Sequence, residues 1–289
     1  MPVISLDPAT VLLQWAVGGL FFLWVTSRRR EVGIGYGWTM RITFGLMAAG
    51  ALAVGLLFNT VLVREVATAG VVAAAGLALV VSVLRRRAGV AGQREVERQR
   101  SSRVAEMTGI DVDVREKARR FDPDVPEFPP MLDLVAPVLG LVALVAAGVD
   151  AGGPLGLSLV RTLVGAVFLG AVSDAMLLGH WYLVQPGLAR APLVELVWWS
   201  GIAWPFELAV LLWPTGMVSV LNGTIDDGYN GLLGWFWVAC VVSTIALVGL
   251  TRAALREKQY SAVMAATGLL YLAILTAFGM DLVARAVLV

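Results

Sequence analysis

Five ionisable side chains stand where a soluble protein would not place them. Arg161, Asp174, His180, Glu195 and Glu207 fall within or beside two strongly apolar runs, 156–182 and 192–213. A charge at the centre of an apolar membrane helix costs about 2.5–3.5 kcal/mol on insertion scales, so each needs a partner, a wet cavity or a route to the surface. The short link Pro186 to Ala191 makes the two runs antiparallel neighbours.

Depth sorts these residues. Arg161 follows Pro154 by seven positions and Glu207 precedes Trp213 by six, which puts both roughly 10 Å inside the same boundary at 1.5 Å per residue. An Arg161–Glu207 ion pair is therefore expected. Asp174 lies deeper, level with Ser200. Val167, Gly170, Asp174, Trp181 and Gln185 share one stripe of the first run, and Ser200, Ala203 and Glu207 share one of the second. Pro205 frees a backbone carbonyl one turn earlier, near Gly201. Together these groups predict a small polar cavity between the two runs, in which a carboxyl with no cation beside it holds or passes a proton.

Gly179-His180-Trp181-Tyr182 closes the first run at headgroup level. His180 and Tyr182 can donate to a carbonyl while Trp181 supplies a flat wall, an arrangement suited to a quinone-type headgroup. A proton relay from Asp174 to His180 meets an obstacle: the two lie about 240° apart around one helix, so another group must bridge them.

Other chemistries find no support. One histidine cannot give bis-His haem ligation, and no His-rich cluster offers the three ligands of a catalytic zinc. Cys240 is the single cysteine, which excludes a disulfide framework. Val32-Gly-Ile-Gly-Tyr-Gly37 has the glycine spacing of a dinucleotide loop and of a potassium filter, but neither a strand nor a pore helix precedes it. No nucleophile–base pair stands out, so catalysis by the chain alone is not expected. Haem and metal are not expected, a quinone is the one cofactor considered, and no module for nucleic acid is present.

The elements that position these residues follow from composition. The 289 residues are 58% hydrophobic and 15% charged, too few charges to cover a soluble surface. Charge-poor runs at about 10–27, 43–63, 66–84, 132–149, 156–182, 192–213, 231–250 and 260–283 are long enough to cross a hydrocarbon core of about 30 Å as helices. The fold class is all-α, a polytopic integral membrane protein. Nineteen of the 22 Lys and Arg residues fall in connections that share one face, including Arg28, Arg29, Arg30 and Arg41 between the first two runs. The positive-inside rule makes that face cytoplasmic and sends both termini outward. The Ala-, Val- and Leu-rich, lysine-poor composition suggests a bacterial inner membrane.

Three regions result: helices 1–3 over residues 1–84, a charged arm over 85–130, and helices 4–8 over 131–289. Small residues such as Gly45, Ala48, Gly55, Ala69 and Ala73 make spans two and three a close-packing scaffold. The arm is basic to Arg103 and acidic thereafter. It predicts a surface helix near 93–108 and a proline-rich strap into span four. The arm and the small-residue faces are the expected docking surfaces for a protein partner, and the lipid bilayer is the other partner. In the outer half of span eight, Asp281 and Arg285 are one turn apart and can pair.

These features suggest a membrane subunit of a bioenergetic or redox assembly, handling protons or a quinone-type headgroup around Asp174, His180, Trp181, Tyr182 and Ser200. The alternatives are a proton-coupled transporter of a small solute, with Arg161, Asp174 and Glu207 along its path, and a non-catalytic anchor or assembly factor.

Overall fold

A computed structural model of the chain describes residues 7–92, 95, 122, 125–185, 188–257 and 259–288. Among them are no strands, and eight helices are long and apolar enough to cross a membrane. They are α1 (Pro8–Ser27), α2 (Ile34–Phe58), α3 (Leu62–Leu84), α4 (Val135–Asp150, a membrane-length span when its leading turn from Pro130 is included), α5 (Leu155–Val184), α6 (Ala191–Leu212), α7 (Leu232–Ala254) and α8 (Tyr260–Val287). A tight turn, Pro130–Leu134, leads into α4, and a short helix, Gly216–Leu221, follows α6. The surface helix expected near 93–108 lies outside the described residues.

Helix starts follow the local sequence. Asp7 accepts the Thr10 N–H at 2.7 Å and Pro8 occupies the first turn of α1, so one free donor is satisfied and another is absent. Before α7, Asp227 accepts N–H groups from Tyr229, Gly231, Leu233 and Gly234. Gly231 adopts φ +81° there, a conformation that side chains resist.

The bundle is arranged around α1, which packs against α2, α4 and α5. The α2–α3, α3–α4, α4–α5, α5–α6, α5–α8, α6–α7 and α7–α8 pairs complete the helix packing. At the α1–α5 crossing a Cβ on Gly18 would lie 1.9 Å from the Ala166 carbonyl oxygen, and one on Gly170 would lie 2.3 Å from the Gly18 carbonyl carbon. Only glycine lets these backbones meet, which is how helices associate where apolar side chains gain nothing by leaving lipid. The outer faces carry exposed Leu46, Leu57, Phe58, Leu62, Val66 and Leu77.

The second span differs from the expected 43–63. It runs from Ile34 to Phe58, so Arg41 lies inside α2 rather than in a loop. The helix tolerates it because Asp133, at the head of α4, accepts from Nε at 2.7 Å and Nη2 at 2.8 Å, while the Phe128 ring lies 4.3 Å from its Cζ. The following turn accordingly moves to residues 59–61. Arg64 belongs to the first turn of α3, where it pairs with Asp7 and Glu65, each at 2.7 Å.

The arginine-rich connections meet at one end of the bundle. Glu195 of α6 receives Arg28 and Arg29, each at 2.5 Å. Arg30 faces Glu127 at 3.5 Å, and Arg190 donates to the Gln259 carbonyl at 2.9 Å. Asp7, Asn59, Arg64 and Asp150 cluster at the opposite end.

Candidate functional site

Asp174 sits in the interior turns of α5 and is completely buried. No donor among the described residues reaches either carboxylate oxygen. A buried polar atom without a partner forfeits hydration, usually by about 1–3 kcal/mol and more when charged. The polar neighbours arrive from other helices. Tyr36, near the start of α2, is within electrostatic reach of Asp174, and its hydroxyl lies beside that of Thr26 at the end of α1. Neither hydroxyl completes a hydrogen bond, and both are buried. Tyr182 is within the field of Tyr36, and Glu31 of the α1–α2 turn within that of Tyr182.

Linked pairwise in this way, Glu31, Tyr182, Tyr36 and Asp174 make a sparse polar file, with Thr26 beside Tyr36. Its members lie on three helices and a turn, so no single stretch of sequence displays them. Tyr36 within the glycine run and Thr26 near the end of the first span were the available signals.

The expected partnership of Asp174 with Ser200 is not formed. Ser200 donates to the Leu196 carbonyl of its own helix at 2.9 Å, which satisfies the hydroxyl without a neighbour. The space between α5 and α6 is an apolar groove of about 250 Å³ lined by Leu163, Val167, Trp199, Ile202, Ala203 and Phe206. Polar groups gather on the α1–α2 side of α5 instead.

His180, Trp181 and Tyr182 diverge, because successive helical residues step about 100° around the axis. His180 is exposed; its Nδ1 is 2.8 Å from the Tyr271 hydroxyl of α8, with the two rings edge to face. The Trp181 indole N–H donates to Gln185 at 3.1 Å, and its ring packs near Tyr36. Tyr182 is buried and donates to the Ala189 carbonyl, while its own carbonyl accepts from the Tyr260 hydroxyl at 3.2 Å. Asp174 and His180 are not brought together.

A second buried cluster lies in the opposite half. The direct Arg161–Glu207 pair is replaced by two separate arrangements. Arg161 donates to the carbonyls of Val210 and Trp213 at 2.8 and 2.7 Å, serving the open carbonyls at the end of α6. Glu207 is wholly buried and faces Arg285 of α8 at 3.9 Å, and Arg285 also pairs with Asp281 at 2.6 Å. Gln14 of α1 donates to the Thr162 carbonyl at 2.6 Å. Both Arg285 Nη2 and the Gln14 amide nitrogen lie within 3 Å of where a Gly165 Cβ would be, at 2.3 and 2.9 Å. Arg161 and Glu207 were visible as costly residues; the contribution of α8 was not, because Asp281 and Arg285 pair locally.

Among the described residues no group of three or more His, Cys, Asp or Glu side chains is placed to hold a metal ion. No family model, curated protein or solved structure matches the chain.

Proposed function

We propose that the chain is a multi-pass membrane protein that holds and passes protons at Asp174, as a subunit of a larger bioenergetic assembly. One observation carries this reading: a fully buried carboxyl in an apolar span with neither oxygen bonded. Structural carboxyls in such places are paired or coordinated, as Asp133 and Asp281 are here. The Tyr36 hydroxyl, within electrostatic reach of Asp174 and beside that of Thr26, is the nearest candidate to relay a proton arriving from the basic end. The divergence of His180, Trp181 and Tyr182 favours a proton over a quinone-type headgroup. With the basic end facing the cytoplasm, as the positive-inside rule requires, the file opens inward and both termini face outward across a bacterial inner membrane.

A proton-coupled solute transporter is the second reading. It draws on the charged cluster of Glu207, Asp281 and Arg285, which gives the opposite half a buried polar site of its own.

The experiment pairs a mild-detergent pull-down with reconstitution. In proteoliposomes bearing a pH-sensitive dye, proton movement should fall at least about tenfold for Asp174→Asn, equivalent to about 1.4 kcal/mol of barrier, and survive in part for Asp174→Glu. Stoichiometric partners in the pull-down support the subunit reading; a lone protein that moves protons only with a solute supports the transporter. Equal proton movement in wild type and Asp174→Asn overturns both.

A further inference from the structure

We infer that Glu207 of α6 and Asp281 of α8 hold one proton between them, making a proton-binding site in the half of the bundle away from the basic end. Both side chains are completely buried, and the two carboxyls lie within hydrogen-bonding reach of each other. Two ionised carboxylates that close repel strongly where little water screens them, so such pairs retain a proton. The site stands whether or not Asp174 moves protons.

Hydrogen bonding assigns the proton to the Glu207 side. Asp281 is the filled member: Arg285 Nε lies 2.7 Å from each of its oxygens, and Nη2 lies 2.6 Å from Oδ1. Glu207 receives no donor at either oxygen, and Arg285 Nη2 comes no nearer to it than 3.9 Å.

The groups around Glu207 are committed elsewhere. Its charged neighbours are Asp281 and Arg285 on α8 and Arg161 on α5. Arg161 spends Nε and Nη2 on the carbonyls of Val210 and Trp213. Gln14 of α1, which meets Arg285 beside Gly165, spends its amide nitrogen on the carbonyls of Arg161 and Thr162 at 3.5 and 2.6 Å. Those bonds fix the orientation of the amide and leave Gln14 Oε1 as a further buried acceptor without a donor. The cluster therefore has more acceptors than donors. A proton on Glu207 supplies the missing donor, an O–H directed at the Asp281 carboxylate, and removes one of two like charges. The pair then presents a single negative charge to Arg285, and its proton belongs to both carboxyls rather than to one.

The test is infrared spectroscopy of the full chain at neutral pH in maltoside micelles. Lipid is stripped first, because its ester carbonyls absorb where protonated carboxyls do. Glutamate carrying ¹³C at the side-chain carboxyl marks the band, and an Asp174→Asn background removes the other buried carboxyl that lacks a donor. In that background a protonated-carboxyl band should appear, move with the glutamate label and shift in heavy water. Glu207→Gln should abolish it. Asp281→Asn should abolish it too, because Glu207 then ionises opposite Arg285. If the Glu207→Gln protein does not fold, the labelled protein with and without Asp281→Asn decides. The shared proton is ruled out if no label-sensitive band appears, or if the band survives either substitution in a folded protein.

Discussion

Arg41 in α2 and Asp133 at the head of α4 form a buried bidentate pair across 92 positions of sequence. Ser27, at the end of α1, donates to the same carboxylate at 2.9 Å. Three helices are therefore tied at one carboxylate near the basic end. Removing one member of a buried pair strands the other charge, at a cost of about 3–5 kcal/mol. Arg41→Met and Asp133→Leu should each lower stability by that order, and the double variant by clearly less than the sum. Thermal unfolding of the four proteins of the cycle measures the coupling; additive losses would show that the pair is not coupled.

The crossing of α1 and α5 should be intolerant of a single methyl group. Gly18→Ala or Gly170→Ala forces a Cβ into backbone, against which no rotamer change helps. Losses of about 3 kcal/mol or more are expected, at the upper end for overpacked sites. Gly50→Ala, where a Cβ meets nothing within 4 Å, is the control and should leave the unfolding midpoint alone.

In the opposite half, Arg285 balances two carboxyls and Glu207 is one of them. Arg285→Met leaves Asp281 and Glu207 buried without their shared cation and should cost about 3–5 kcal/mol. Glu207→Gln keeps shape while removing one carboxyl from the cluster and should cost less than half as much. Comparing the two unfolding midpoints checks the order; a larger loss for Glu207→Gln would assign the role of balancing charge elsewhere.

The loop before α7 should respond to acid. Desolvation works to raise the Asp227 carboxyl, but N–H donation from Tyr229, Gly231, Gly234 and Leu233 outweighs it and holds the group below its ordinary value. A carboxyl depressed on folding adds stability that is fully present above its unfolded value, about 3.9, and lost as pH falls through the lower folded value. Hydrogen exchange of residues 227–234, corrected for intrinsic rate, should therefore be flat from neutral pH down to about 4 and accelerate below it. Asp227→Ala should exchange faster at neutral pH and lose the acid step.

Much of the bundle could be read from the sequence because lipid permits only long apolar helices with internally bonded backbones. Seven spans fall within a few residues of expectation; α2 begins nine residues before its expected start at 43. Hydropathy counts Arg41 as a loop residue, whereas Asp133, which makes it acceptable inside, lies far outside any window. The same limit governs the candidate site. Asp174 is conspicuous as a lone charge in an apolar run, and Arg161 and Glu207 for the same reason. Their surroundings, the Tyr36 hydroxyl for Asp174 and the α6 carbonyls and Arg285 for the others, depend on which helices touch. The Gly18–Gly170 contact decides that α5 meets α1, and a pair of glycines among 31 carries no mark in the sequence.

That same contact bears on how the protein is made. Helix α1 leaves the ribosome well before α5, yet its glycine seam is closed by that helix, which begins only at Leu155. Until α5 has been synthesised, Gln14 and the bare backbone at Gly18 lack the partners they hold in the finished bundle. Packing therefore cannot be completed helix by helix in order of synthesis; α1 must wait in the membrane for α5 before its glycine seam closes.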